Sequence, residues 1–132
     1  MAKYLLDADA VIDLLNGFPP AVRLIAQFHE DGDELAISEI TVAEVYSGLR
    51  TADEAVAVQF FDGCTYLAPS LAAARRAGQF RNAMLRRGIA LSITDALIAA
   101  TAWEHAHVLV TGDAVFQYLP DIEIVPLPKA IP

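Results

Sequence analysis

Tyr4-Leu5-Leu6-Asp7-Ala8-Asp9-Ala10-Val11 places three apolar residues directly before two acids. A run this short and apolar reads as a buried strand that ends at Asp7. Helical spacing follows at once: Val11, Leu14 and Leu15 fall on one side of residues 10–16, and Gly17 with Pro19-Pro20 stops the helix. The same alternation recurs along the chain. Val22, Leu24, Ile25 and Phe28 mark a helix over 20–30, and Asp31-Gly32-Asp33 turns into a strand at Leu35-Ala36-Ile37. Ser38 or Thr41 caps a helix carrying Val42, Val45, Tyr46 and Leu49, and residues 52–61 are helical in pattern. Thr65-Tyr66-Leu67 is a third strand before Pro69. Ser70 caps a long helix ending at Gly88, and Ser92 caps another over 93–105. Val108-Leu109-Val110 is a strand leading into Thr111-Gly112-Asp113. Ile122-Glu123-Ile124-Val125 is the last strand, before a Pro-rich tail.

Short apolar strands separated by helices predict a parallel sheet covered on both faces. The fold class is therefore α/β, a three-layer α/β/α sandwich on four or five short strands. The 132 residues suit one domain spanning 1–132. With 55% hydrophobic residues and a mean hydropathy of +0.40, disorder is excluded. Cys64 stands alone, so no intramolecular disulfide or Cys-rich zinc site is possible, and a cytoplasmic setting fits. No apolar run approaches the length of a membrane span, and Asp7, Asp9 and Asp13 break up the only candidate signal segment. Acids outnumber bases 17 to 9, a net charge of −8. That balance argues against a module that simply coats nucleic acid.

Four acids sit in apolar surroundings. Asp7 follows Tyr-Leu-Leu, Glu44 lies inside Ile-Thr-Val-Ala-Glu-Val, Asp95 inside Ile-Thr-Asp-Ala-Leu-Ile, and Asp113 follows Val-Leu-Val-Thr-Gly. Buried there, a carboxylate costs free energy unless something compensates it. Each also has an ordinary explanation. Asp7 can cap the first helix, Thr41-x-x-Glu44 and Ser92-x-x-Asp95 have the form of capping boxes, and Asp113 can be a turn residue beside Gly112. Their common location is what sets them apart. In a parallel sheet the carboxyl ends of the strands line one edge, where ligands bind, and at least three of these acids fall there. Converging carboxylates repel one another, and the hard, oxygen-seeking ions Mg²⁺ and Mn²⁺ are their natural counter-charge. The chemistry implied is metal-assisted phosphoryl chemistry.

Four segments, Tyr4 to Leu15, Ile40 to Leu49, Ile93 to Ala102 and Leu109 to Phe116, resemble in order the PIN-domain ribonucleases. The likeness is greatest to the VapC toxins of type II toxin–antitoxin systems, and it spans nearly the whole chain. It implies a metal-dependent endoribonuclease, with Asp7, Glu44, Asp95 and Asp113 on the acidic catalytic and metal positions and Thr111 on an accessory hydroxyl position. Two departures stand out. Asp9 occupies a position that is usually Asn in the family, and Val115 stands where many members carry a further acid.

Leu5-Leu6-Asp7-Ala8-Asp9-Ala10-Val11 also resembles the first motif of haloacid-dehalogenase-like phosphatases, in which the first Asp is a covalent nucleophile. That chemistry needs a lysine at the sheet edge. The chain has only Lys3 and Lys129, and Gln117 stands where the last motif's second Asp belongs. The phosphatase reading also gives Glu44 no role. A third alternative is a PIN scaffold that binds protein without catalysis, although degenerate PIN domains usually lose acids from the cluster.

Five of the seven arginines fall between residues 75 and 87. At 100° per residue, Arg75, Arg76, Arg86 and Arg87 share an arc of about 120° on one helix, while Arg81 points elsewhere. The stripe suits an RNA backbone or acidic residues of a partner. His29, His105 and His107 have no useful spacing and read as surface or strand-end residues. Trp103 and Phe116 read as core, and Cys64 as a small buried residue. The helices at 20–30 and 41–61 carry more apolar positions than one sheet face uses, which marks an interface. The resemblance supplies two occupants, a second copy in a homodimer and a VapB-like antitoxin that places a basic side chain in the acidic cleft.

Overall fold

The computed structural model describes residues 1–128; the end of the Pro-rich tail, 129–132, lies outside the described residues. Five strands form one sheet: β1 (Lys3–Leu6), β2 (Glu34–Ser38), β3 (Thr65–Leu67), β4 (Val108–Thr111) and β5 (Ile124–Pro126). They lie in the order β3-β2-β1-β4-β5, and every neighbouring pair is parallel. The expected three-layer architecture follows. Period-two alternation sends Leu5, Ala36 and Leu109 to one face and Leu6, Ile37 and Val110 to the other.

Helices α5 (Leu71–Arg86) and α6 (Ile93–His105) cover the first face with Ala73, Ala77, Phe80, Met84 and Ile98. Helices α1 (Ala8–Leu15), α2 (Pro19–Glu30) and α4 (Glu54–Asp62) supply Val11, Phe28 and Phe60 to the second, where α3 (Glu39–Ser47) adds Val45. Small residues on α5 and α6 let these helices sit close together and on the sheet.

Helix α1 starts two residues earlier than its apolar spacing suggests, because Asp7 caps it. The apolar pattern over 41–61 forms two helices, as the two separate stretches of the sequence suggest, with Leu49 falling beyond the end of the first. Helix α3 ends at Ser47, Gly48 follows as its cap, and the turn Thr51–Asp53 leads into α4. The last strand is shifted towards the carboxyl end, to Ile124–Pro126. Gly17 and Gly88 end their helices at φ of 72° and 74°, a backbone region open to glycine.

Phe116 is fully buried as expected, and Val115 packs beside it against the core. Trp103 is not core. It is 39% exposed on α6, with the Arg76 guanidinium 4.9 Å from its ring centre. Cys64 is half-buried, and its thiol donates to the Phe60 carbonyl. His107, just before β4, is buried and ties the start of that strand to β2 through Glu34 at 2.7 Å. No helix among the described residues is long and apolar enough to cross a membrane.

The sheet order fixes where a site can form. The chain works outward from β1 to β2 and β3, then returns to the other side of β1 for β4. The order therefore reverses between β1 and β4, and the carboxyl ends of those two strands are where open α/β sheets bind their ligands. Asp7 ends one of these strands and Thr111-Gly112-Asp113 ends the other.

Candidate metal centre

Asp7 sits at the carboxyl end of β1, beside β4, and is only 6% exposed. One carboxylate oxygen, Oδ1, accepts from the Ala8 amide at 2.8 Å and caps α1. The other, Oδ2, accepts from the Thr111 hydroxyl at 2.8 Å across the β1–β4 junction. Thr111 is itself buried, and its Oγ1 accepts from the Asp113 amide at 3.1 Å. Burial, followed by the Asp9 charge, pushes the Asp7 carboxyl up to about 7; the bonds from Thr111 and Ala8 pull in the opposite direction.

Asp9 lies in the first turn of α1. Its Oδ2 accepts from the Gly112 amide at 2.8 Å, while its buried Oδ1 has no hydrogen-bond partner. A Cβ at 112 would lie 2.9 Å from Asp9 Oδ2, so any larger residue there would push the Asp9 carboxylate aside. Burial raises the Asp9 carboxyl, and the charges of Asp13 and Asp113 add to the effect.

Glu44 reaches the same region from α3. Ser38, not Thr41, caps that helix, and the Thr41 hydroxyl instead donates to the Leu6 carbonyl at 2.9 Å. The capping-box explanation for Glu44 therefore fails. The Thr41 bond also fastens the start of α3 to the end of β1. Desolvation raises the Glu44 carboxyl, with Asp95 and Asp9 contributing by charge.

Asp95 is in the first turn of α6, where its amide donates to Ser92 Oγ at 3.1 Å. Its carboxyl is raised by burial and by the Asp113 charge, against a hydrogen bond with Ser92. Asp113 is exposed and caps the short turn Ala114–Tyr118 through the Val115 amide. Ordinary capping roles are thus real for the Asp7 and Asp113 side chains and coexist with the clustering, whereas at α6 the cap is Ser92 and Asp95 contributes its amide.

These mutual charge effects put Asp7, Asp9, Glu44, Asp95 and Asp113 in one neighbourhood. Asp13, a sixth acid, joins them through Asp9. The sequence signal for Asp13 is its position one helical turn beyond Asp9. The signal for Gly112 is its place between Thr111 and Asp113. Among the described residues, the salt bridges are Arg50–Asp53, Arg76–Asp121 and His107–Glu34, and none neutralises the cluster.

The donor set suits a hard divalent cation. It consists of carboxylate oxygens, it lacks a basic partner, and it includes the orphaned Oδ1 of Asp9. Among the described residues no group of three or more His, Cys, Asp or Glu side chains is arranged to hold a metal ion. Mutual repulsion is a cost of bringing such groups together, and a cation offsets it.

The arginine stripe divides in the structure. Arg76 pairs with Asp121 and lies over Phe80 and Trp103. Arg87 donates to the Tyr118 carbonyl at 3.0 Å and lies over that ring. Both therefore brace the 118–121 segment against α5 instead of joining a free basic face. Arg75 and Arg86 line an open groove, and Arg81, expected to point elsewhere, lines it too.

A parallel sheet with a carboxylate cluster at its switch point defines a class, and sequence comparison identifies it. The PIN domain model matches residues 4–122, so the chain belongs to the PIN-domain family. Within the family it belongs with the VapC ribonucleases. It is 30% identical over 120 residues to Ribonuclease VapC19 of Mycobacterium tuberculosis, covering 90% of this chain and 96% of that protein. It is 27% identical over 118 residues to Ribonuclease VapC2 of Haemophilus influenzae, covering 86% and 88%. Among solved structures, DNA-bound VapBC from Salmonella typhimurium superposes with a TM-score of 0.83 at 27% identity, covering 97% of this chain and all of that one.

Proposed function

We propose that the chain, acting as one PIN domain over 1–132, is the Mg²⁺- or Mn²⁺-dependent endoribonuclease toxin of a toxin–antitoxin pair. The observation that carries this reading is the buried Asp7 at the β1–β4 switch point, held by Thr111 and surrounded by acids without a basic partner. The names of its relatives point to the same reaction.

Asp7 and Asp95 are the first metal ligands in this reading, and Glu44 and Asp113 complete the set directly or through water. A divalent cation bound there supplies Lewis acidity, which acidifies water and polarises the phosphodiester. Thr111 fixes the rotamer of Asp7 by donating to Oδ2, so the carboxylate cannot swing away from the β1–β4 junction. Asp9, pinned by Gly112, adds negative charge next to Asp7. No side chain has to act as a nucleophile. The phosphatase alternative falls with the family assignment, and it lacks a lysine at this edge among the described residues.

The partners proposed are RNA, a second copy of the chain and a VapB-like antitoxin in the cytoplasm. VapBC complexes among the structural neighbours support the antitoxin. An Arg or Lys from such a partner would replace the cation's charge in the acidic cleft.

The test is RNA cleavage by the purified protein with EDTA, then with Mg²⁺ or Mn²⁺ in excess. Cleavage that stops with EDTA and returns with either ion supports the proposal. Cleavage that persists in EDTA overturns the metal mechanism, and absence of cleavage under every condition leaves a protein-binding scaffold. Mapping the cut sites on total RNA after induced expression identifies the substrate among transfer, ribosomal and messenger RNA.

A further inference from the structure

Helix α5 borders a groove that the acidic centre does not use. Gly78, Arg81, Asn82, Leu85 and Arg86 form its helical wall, and the loop residues Ile89–Leu91 form the other side, around 660 Å³. It continues along α5 past Gln79 to Arg75. Gly78 lacks a side chain, which leaves the middle of the helical wall low. No acid lines either part, although the whole chain carries a charge of −8.

The three arginines are differently held. Arg81 donates from Nε to the Leu91 carbonyl at 2.9 Å, which braces the loop and leaves four of its five N–H donors outside that bond. Arg75 and Arg86 make no salt bridge to another side chain among the described residues, unlike Arg76. Their eleven-residue separation spans about 16 Å of helix, enough for several consecutive phosphates. Asn82 and Gln79 add amide donors and acceptors between them. The loop wall ends at Leu91, directly before Ser92, which caps the helix whose first turn carries Asp95. The groove's loop wall therefore ends four residues before Asp95 in the chain.

We propose that this groove is the track for the substrate's single-stranded phosphodiester backbone, with Arg75, Arg81 and Arg86 as its phosphate contacts. The proposal rests on the ribonuclease reading and adds to it a binding surface. Charge complementarity selects the occupant. In a symmetric dimer docked through this face the same patch would meet itself, and the patch holds no acid to pair with these arginines, whereas a polyanion neutralises them.

The experiment measures binding without cleavage. Asp7→Asn protein is titrated into a labelled single-stranded oligoribonucleotide, followed by fluorescence anisotropy over about 50 to 200 mM KCl. Adding Arg75→Gln and Arg86→Gln should weaken binding roughly tenfold at the low-salt end and reduce the slope of log affinity against log salt by about 1.4, near 0.7 per lost contact. Arg81→Gln should weaken it as well. Arg23→Gln, on α2 across the sheet, should leave affinity and slope unchanged. Circular dichroism checks that the variants fold, and sedimentation reads their oligomeric state.

Unchanged affinity and slope in the double variant overturn the proposal. Weaker binding that accompanies a change from dimer to monomer also overturns it and assigns the face to a second copy. The two readings fail separately. If wild-type protein never cleaves RNA yet binding depends on these arginines, the nuclease reading falls and the track stands. If it cleaves RNA and Arg75→Gln/Arg86→Gln leaves KM and kcat unchanged, the track falls alone.

Discussion

Replacing Asp7 with Asn should stabilise the metal-free protein while abolishing its activity. In the folded chain the Asp7 carboxyl titrates at about 7, against an ordinary value of 3.8, and burial is the main cause. A tenfold change in proton affinity is worth about 1.36 kcal/mol, so ionised Asp7 costs the fold about 4 kcal/mol once the pH is above both values. The sign follows from proton binding. Below 3.8 both folded and unfolded chains hold the proton, and no cost arises. As pH rises towards 7 the unfolded chain loses its proton more readily, and stability falls across that window. Asn carries no charge to desolvate, and its side-chain oxygen keeps the cap on the Ala8 amide. It gives up the charge-assisted bond from Thr111, worth about 1 to 2 kcal/mol.

The net gain is about 2 to 3 kcal/mol near neutral pH. For a chain of this length that raises Tm by roughly 6 to 12 °C. Thermal melts of both proteins in EDTA across this pH range measure it, and the gap should close towards about pH 4. Adding Mg²⁺ or Mn²⁺ should stabilise the wild type and narrow the gap, because a ligand that binds only the folded state adds stability. RNA cleavage and growth inhibition should be lost throughout. A variant that melts at or below the wild-type temperature near about pH 8 in EDTA, or a gap indifferent to pH, would refute the reasoning.

Other substitutions probe the supports of the site. Gly112→Ala places a Cβ 2.9 Å from Asp9 Oδ2, so the 2.8 Å bond must lengthen; cleavage should fall at least tenfold, and Asp9→Ala should make the two losses non-additive in a double-mutant cycle. Thr41→Val removes the hydroxyl that ties α3 to the Leu6 carbonyl and should cost about 1 to 2 kcal/mol by urea denaturation, with cleavage reduced because Glu44 loses its anchor. Burial pushes the Cys64 thiol up to about 11, so alkylation near about pH 8 should be far slower in the native protein than in urea; equal rates would contradict that environment. Asp121→Ala removes the partner of Arg76 and should lower stability by up to about 1 kcal/mol with RNA binding little changed, since Arg76 braces the fold.

The alternation of short apolar runs and helical spacing is legible residue by residue because both periods are local. The acids stand out for the same reason: Asp7, Glu44, Asp95 and Asp113 each interrupt an apolar segment. Boundaries shift where a cap intervenes, as at Asp7, where α1 starts early, and at Gly48, where α3 stops short of Leu49. Trp103 shows the limit of composition, since a large aromatic inside an alanine-rich helix reads as core. Its ring instead lies at the surface beneath a guanidinium from the neighbouring helix.

By itself the sequence determined that the chain is an α/β sandwich with carboxylates at strand ends, because hydrophobic period and chain order are enough for that. Tertiary structure decided which groups meet. Thr111 bonds Asp7 across 104 positions, and Gly112 bonds Asp9 across 103. Those contacts exist because β4 lies against β1, where the strand order reverses. It also decided which arginines are occupied, since Asp121 and Tyr118 approach α5 only after β4 has turned back over it. Local pattern records what each residue can bury, while the partners it meets depend on chain crossings that no short window contains.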